Sequence, residues 1–161
     1  MKNRRRGKRR PQKKWSNRVS DHFSKRDFKC PYCETIEGCR STFRLSLGLV
    51  GGLELLRSKA GQRINIIKGY ECVESAEKLT SFKQNYHCAG IAADITIDTL
   101  SPKDVFLLAE SVLEFNGIGL DVTNNMVHVD TRKTDERVLW VEKEGEVIAL
   151  TDENRSTYFG D

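Results

Sequence analysis

Hydrophobic residues recur along this chain at two spacings, and each spacing predicts one type of secondary structure. The helical spacing of three to four residues occurs in Ser41 to Lys59 and again in Thr99 to Phe115. Gly61 lies where the first helix should end, because glycine readily adopts the left-handed backbone of a helix end. Ser101 followed by Pro102 is a strong start signal for the second helix. Both segments are therefore predicted helices with one apolar stripe each.

The alternating spacing of a strand is clearest from Ile91 to Ile97, where every second residue is an isoleucine or alanine and Asp94 lies on the opposite face. Met126 to Asp130 alternates in the same way and places His128 away from the core. Further strands are predicted at Ile64 to Ile67, Val138 to Val141 and Val147 to Leu150, the last two as a hairpin across Glu144-Gly145. The sequence thus mixes short strands with two helices.

Three side chains in or near these strands are candidate metal ligands. If the strands that carry Asp94 and His128 pair, the two side chains meet above one face of the sheet, and His87 reaches them from the preceding loop. Two imidazoles and one carboxylate are a ligand set that catalytic zinc uses, with a fourth position left for water. Each residue taken alone is more often a solvated surface residue. The hypothesis depends on the combination.

The segments that carry these residues resemble a known family. Ser81 to Asp94 has the pattern S-x(5)-H-x-x-G-x-A-x-D, and Val127 to Arg132 reads V-H-V-D-T-R. Both are similar to motifs of the zinc D-alanyl-D-alanine metallopeptidases, which share a fold with the hedgehog signalling domain and include phage and bacterial peptidoglycan peptidases. The resemblance runs from about Phe28 to Trp140. It implies that the three candidate ligands bind Zn²⁺.

The resemblance also implies a substrate-binding cleft that contains Lys68, Tyr70, Glu71 and Ser81. Members of the family commonly have S-G-Y-R where this chain has K-G-Y-E, so the arginine expected to hold a substrate carboxylate is Glu71 here. Lys68 offers a positive charge instead, but as a point charge and not as a bidentate fork. Tyr70 and Tyr86 are candidates for polarising a substrate carbonyl, with an aromatic at the core edge as the alternative.

A second departure concerns the general base. Several relatives have Glu or Asp three residues before the last histidine ligand, and this chain has Asn125, which cannot accept a proton. Asp130 is one candidate for the catalytic base. It is also placed to orient an imidazole ligand, which we favour. Asp121 is the weaker second candidate for the base.

Charge divides the chain into an arm and a body. Met1 to Lys14 contains nine of the 27 Lys and Arg residues and no acid, which leaves 18 basic against 23 acidic residues and a body of about −5 within a net charge of +4. We expect residues 1–14 to be a disordered basic arm that contacts a polyanion, with a solubilising leader as the equal alternative. Residues 15–150 are the expected single domain, and residues 151–161 a polar, frayed C-terminal tail.

The five cysteines are an odd number, so they cannot all pair within one chain. Cys30-Pro31-Tyr32-Cys33, with Cys39 six residues later, is compatible with half of a structural zinc site, a redox pair or a disulfide. We expect free or partly paired thiols. Cys88, next to His87, is assigned to packing.

These features predict an α+β fold with a small, mainly antiparallel sheet, helices packed on one face and a zinc cleft on the other, like that of the hedgehog domain and the DD-peptidases. The resemblance implies a zinc-dependent peptidoglycan peptidase, either a carboxypeptidase or an endopeptidase that acts next to a D-amino acid in the stem peptide. A phage-type lytic enzyme fits this description. The alternatives are a non-catalytic zinc-binding module of the same fold and a polyanion-binding structural protein.

Location and assembly follow from simpler observations. No apolar run approaches the ~20 residues of a membrane span, and no apolar stretch follows the basic residues as in a signal peptide. We expect a monomer that is made in the cytoplasm and that reaches the cell wall by release or as part of a virion.

Overall fold

The structure, a computed structural model, describes residues 17–30, 44–72 and 86–160. Ser81, Cys33, Cys39 and the basic arm lie outside the described residues. Within these ranges the chain forms a short 3₁₀ helix, three α-helices and six strands. They are the 3₁₀ helix Lys25–Phe28, α1 Leu47–Ala60, β1 Asn65–Lys68, β2 Ala92–Thr96, α2 Pro102–Glu110, β3 Gly117–Asp121, β4 Met126–Asp130, β5 Val138–Lys143, β6 Glu146–Ala149 and α3 Asp152–Phe159.

The six strands form one mixed sheet in the order β1-β2-β4-β3-β5-β6. Only β3 and β5 pair in parallel, and the other four neighbouring pairs are antiparallel. The predicted α+β fold with a mainly antiparallel sheet is therefore confirmed. β1 and β6 are the two edge strands, and β4, which carries His128, lies near the centre.

The core lies between the sheet and the helices. Ile95, Val127 and Val129 point from the central strands into this core, as their alternation predicts. Leu53 of α1 and Phe106 of α2 are fully buried against them. The polar residues of the same strands consequently lie on the opposite face of the sheet, where the site is built.

The two predicted helices form, with different ends. α1 begins at Leu47, where the Ser46 hydroxyl accepts a hydrogen bond from the Gly48 N–H, and it ends at Gly61 with a φ of 65°. α2 begins after Ser101 as predicted but ends at Glu110, short of Phe115. The apolar spacing continues past that point because Val112 and Phe115 remain buried in the turn that follows.

A contact from a distant part of the chain ends α2. The guanidinium of Arg137 donates to the carbonyl oxygens of Glu110 and Val112 at 2.5 and 3.0 Å. The Glu110 carbonyl is one of the last carbonyls of the helix, which the helix's own backbone leaves without a donor. Val112 lies in the turn that follows, where its carbonyl also accepts from the Phe115 N–H. Arg137 lies just before β5, so the end of this helix depends on the tertiary structure.

The expectation that the C-terminal residues are frayed is wrong. Residues after Thr151 do not fray but form α3, which begins with a capping box between Thr151 and Asn154. Phe159 packs on Phe106 with ring centroids 5.0 Å apart, and this aromatic contact fixes the helix on the core. The Gly117-Ile118-Gly119 segment, for which the hydrophobic spacing predicts no strand, is the start of the central strand β3.

No helix within the described ranges is both long and apolar enough to cross a membrane.

Candidate metal centre

The pairing of β2 with β4 brings two of the candidate ligands together. Asp94 and His128 are direct partners in the antiparallel register, so both side chains leave the same face of the sheet. The Asp94 Oδ1 atom lies 2.8 Å from the His128 Nδ1 atom. Asp94 is only 6% exposed, which shields this contact from water.

His87 reaches the same point from a turn at residues 86–90. Its Nδ1 atom lies 2.7 Å from the carbonyl oxygen of Gly69, so Nδ1–H donates and Nε2 carries the lone pair. Nε2 lies 3.4 Å from Asp94 Oδ1. Gly90 closes the turn with a φ of 70°, and a methyl group at this position would overlap the backbone of Arg44. A side chain is therefore excluded at the glycine of the H-x-x-G motif.

The three residues fit a metal ion by chemistry and by distance. One ligand atom from each of His87, Asp94 and His128 lies within 4.8 Å of the others. Ligand atoms bound to one zinc at about 2.0–2.2 Å are themselves about 3.5 Å apart, so a small inward movement completes the set. It is the one such group of His, Cys, Asp and Glu side chains within the described ranges.

Asp130 contacts the second ring nitrogen of His128, and Arg132 holds Asp130 in place. The Asp130 Oδ2 atom lies 3.0 Å from His128 Nε2, and Asp130 is fully buried. Arg132 donates to this carboxylate from Nε, Nη2 and its backbone N–H at 2.8, 2.5 and 3.0 Å. A carboxylate on Nε2 makes that nitrogen the donor and leaves Nδ1 available to a metal.

The pKa values of three site residues are shifted strongly in the metal-free protein. Burial disfavours the charged forms of His128, Asp94 and Asp130, but the hydrogen bonds that stabilise these charged forms outweigh the effect of burial. Contacts with Asp130 and Asp94 raise the pKa of His128 to about 9. Contacts with His128 and His87 hold the pKa of Asp94 well below its usual range, and contacts with Arg132 and His128 do the same for the pKa of Asp130. In the metal-free protein His128 therefore carries an extra proton, which a metal must displace.

Two glycines of β3 make room for this arrangement. Gly117 pairs with Asp130, and a methyl group there would overlap the Asp130 carboxylate and the Arg132 guanidinium. Gly119 pairs with His128 on one side and with Trp140 on the other, and a methyl group there would overlap the indole ring. Glycine at both positions therefore lets large side chains of the neighbouring strands cover β3.

Trp140 and Arg132 are site residues that the sequence analysis does not identify. The indole ring of Trp140 lies with its centroid 5.3 Å from that of His128. The Arg132 guanidinium carbon lies 4.2 Å from the ring centroid of Tyr86 and 5.1 Å from that of Trp140. The alternating glycines before the last ligand strand were the available signal, but only the parallel pairing of β5 with β3 shows what they accommodate.

The other candidate catalytic carboxylate, Asp121, lies on the same face two residues beyond Gly119. Both of its oxygens accept hydrogen bonds from Asn124, from the backbone N–H and the side-chain amide, each at 2.8 Å. Asn125 occupies the turn between β3 and β4 with a φ of 53°. No described contact joins Asp121 to a ligand residue.

Glu142, which the sequence analysis overlooks, pairs with Asp121 across β5 and β3. It is partly buried, and this burial together with the negative charges of Asp121 and Asp94 raises the pKa of its carboxyl. Among the described residues its carboxylate has no hydrogen-bond partner. A carboxylate with a raised pKa holds a proton more readily than an ordinary surface glutamate, which makes Glu142 a candidate for proton transfer.

Three of the predicted substrate-binding residues, Lys68, Tyr70 and Glu71, lie at the β1 edge, and the fourth, Ser81, lies outside the described residues. Lys68 pairs with Asp94 in the sheet register, and its Nζ atom lies 3.0 Å from Glu71, which is 1% exposed. Tyr70 is buried in a small cluster with Cys30 and Cys72. Those two cysteines are buried, and Cys88, next to His87, is partly buried.

Comparison with known proteins agrees with this geometry. The family model described as "Peptidase M15" matches residues 21–130, which include all three candidate ligands and more than half of the chain. No curated protein and no solved structure gave a significant match. Members of this family are zinc peptidases. The chain, with His87, Asp94 and His128 converging on one point, therefore belongs to the peptidase M15 family.

Proposed function

We propose that the protein is a zinc-dependent peptidase that cuts a peptide bond next to a D-amino acid in the stem peptide of peptidoglycan. The observation that carries this proposal is the convergence of two imidazoles and one carboxylate, with ligand atoms within 4.8 Å of one another, inside the segment matched by a peptidase family. The substrate class comes from the family, and the site supplies the chemistry.

Each residue of the site has a distinct task in this proposal. His87, Asp94 and His128 hold the zinc, which when bound lowers the pKa of a water molecule towards about 7 and polarises the scissile carbonyl. Asp130 and Arg132 keep the His128 ring in one orientation, since the Asp130 carboxylate is already engaged by both partners. This engagement favours positioning over base catalysis for Asp130.

Glu142 is the carboxylate we assign to proton transfer, ahead of Asp121. The oxygens of Asp121 are held by Asn124, whereas the Glu142 carboxylate has no hydrogen-bond partner among the described residues. The raised pKa of Glu142 favours the same assignment, because a general acid–base works best with a pKa near the working pH. Trp140, beside His128, would form a wall of the substrate cleft.

The test is mass spectrometry of muropeptides after incubation with the zinc-loaded protein. We expect products shortened at a bond beside a D-amino acid from the wild type, and none from His128→Ala. His22→Ala is the matched control, because His22 pairs with Glu54 outside the site. Absence of products from every wall peptide with folded, zinc-loaded protein would contradict the proposal.

A non-catalytic zinc module of the same fold is the second candidate. The contact that favours it is the ion pair between Lys68 and Glu71, in which the two charged residues of the K-G-Y-E segment bind each other. In that case the protein binds one zinc per chain, loses it in His128→Ala, and leaves muropeptides unchanged.

For the basic arm we propose contact with a polyanion such as an anionic wall polymer, supported by its nine Lys and Arg residues without an acid. A monomer delivered by phage-type release or within a virion is the setting we propose for the enzyme. The arm would then concentrate the catalytic domain at an anionic surface.

A further inference from the structure

A cavity separate from the candidate metal centre lies between residues 22–27, the end of α1 and the edge strand β1. It has a volume of about 410 Å³, within the range of small-molecule sites. Phe23, Ile64 and Ile66 form an apolar wall, and Phe23 and Ile64 are each only 4% exposed. None of the residues that line this pocket belongs to the candidate metal centre.

Two arginines give the pocket a positive side. Arg57 lies in the last turn of α1 and is partly buried, and Arg63 follows Gly61 and is exposed. Within the part of the chain that the structure describes, no carboxylate lies within ion-pair distance of either guanidinium. A guanidinium presents up to five N–H donors in a rigid fork that matches a carboxylate or a phosphate.

The acidic residues nearby are already engaged. The Asp27 Oδ2 atom accepts hydrogen bonds from the Ser24 N–H and hydroxyl at 2.6 and 2.9 Å. Glu54 accepts from the His22 N–H at 2.9 Å and lies 2.7 Å from the His22 ring. Neither carboxylate pairs with Arg57 or Arg63, so the pocket has two guanidiniums in its lining against the single carboxylate of Asp27.

The plain alternative is that both arginines are solvated surface residues, and that Arg57 merely complements the negative end of α1. That alternative accounts for the charges taken singly. It gives no reason for two guanidiniums to line the same cavity as Phe23, Ile64 and Ile66. A ligand with an acidic group and an apolar group matches both walls at once.

We propose that this pocket binds a small molecule that carries one oxyanion, a carboxylate or a phosphate, beside an apolar group. The oxyanion contacts Arg57 and Arg63, and the apolar group packs on Phe23, Ile64 and Ile66. The inference is independent of the zinc site, so it stands or falls without the proposed peptidase activity.

Three probes of similar size separate the contributions. Phenyl phosphate and phenylacetate share the apolar group and differ in the oxyanion, whereas 2-phenylethanol lacks the charge. We expect both anions to bind the full chain in titrations followed by NMR, with shifts at the side-chain amide of Asn65, which lines the pocket. The anion with the lower Kd identifies which oxyanion chemistry the pocket prefers.

The matched variants have equal charge changes. In Arg57→Gln/Arg63→Gln we expect anion affinity to fall about tenfold or more, because charge-assisted hydrogen bonds are lost. In the control Lys59→Gln/Lys103→Gln, which changes two exposed cations outside the pocket, affinity should stay within about twofold. Equal binding of 2-phenylethanol, equal weakening in both double variants, or no shift at Asn65 with either anion would overturn the proposal.

Discussion

His128 lies between two carboxylates, and this position determines what its ring can bind. One ring nitrogen faces Asp94 at 2.8 Å and the other faces Asp130 at 3.0 Å. In the metal-free protein both nitrogens can donate, which stabilises the imidazolium. Zinc requires a neutral imidazole, so zinc and a proton compete for the same residue.

This competition predicts a pH dependence of zinc affinity. Because the pKa of His128 is raised to about 9, the metal-free ring holds its proton below that pH and zinc must displace it. We expect the affinity to rise about tenfold per pH unit from about pH 7 to about 9 and to level off above. Competition with a chelator of known pH dependence measures it. A flat profile from pH 7 to 9 would show that His128 does not carry the proton.

Asp130→Asn tests the orienting contact. A carboxylate can accept from both His128 and Arg132, whereas an amide has only one oxygen that can accept. The substitution also removes the negative charge beside His128. We expect zinc affinity to fall about 10- to 100-fold. Asp135→Asn is the control, since Asp135 is exposed on the loop before β5. Unchanged affinity in a folded Asp130→Asn protein would assign Asp130 some task other than holding the ring.

Glu142→Gln separates proton transfer from metal binding. We expect kcat on a cleaved muropeptide to fall about 10²- to 10⁴-fold while zinc affinity stays unchanged, because Glu142 is not a ligand. Glu144→Gln, in the exposed turn between β5 and β6, should retain wild-type activity. A larger loss in Asp121→Asn than in Glu142→Gln would reverse the assignment of the two carboxylates.

At the scale of elements, side chains of the neighbouring strands cover β3. Its two glycines face the side chains of β4 and β5, so the Trp140 ring lies over Gly119 and the Asp130–Arg132 pair lies over Gly117. A strand with larger side chains here would push these groups off the sheet. The two glycines of β3 and the large side chains that cover them therefore form one packing unit.

Gly119→Ala should disturb this unit. The added methyl group overlaps the Trp140 ring, so we expect the free energy of unfolding to fall by about 1–3 kcal/mol. Gly51→Ala is a matched change in an exposed position of α1 with open space around it, and it should stabilise by about 0.5–1 kcal/mol. Denaturant unfolding of both metal-free variants measures the difference. A Gly119→Ala protein as stable as the wild type would show that Trp140 can move without cost.

At the scale of the whole molecule, charge is divided between the arm and the rest of the chain. Removing residues 1–14 changes the net charge from +4 to about −5, since these residues hold nine basic side chains and no acid. We expect the truncated protein to elute from heparin at lower salt than the full chain. A full-length variant with those nine residues replaced by Gln should behave like the truncation. Retention unaffected by either change would rule out polyanion binding by the arm.

The local signals in the sequence determined five of the six strands, two of the three α-helices and the ligand types. Alternation at Ile91 to Ile97 and Met126 to Asp130 identified two central strands and the face that carries Asp94 and His128. Ser101 and Gly61 marked ends of two helices correctly. Such signals work because helix caps and side-chain alternation depend on residues only a few positions apart.

Only the tertiary structure decided what surrounds those ligands. The parallel pairing of β5 with β3 places Trp140 beside His128 and Glu142 opposite Asp121, and Arg137 contacts the end of α2 from 25 or more residues away. α3 forms in a polar segment because Phe159 packs on Phe106 of the core. Strand order and long-range contacts leave no periodic trace in the local sequence. The chain therefore determined which residues could bind a metal, whereas the fold decided which residues hold and cover them.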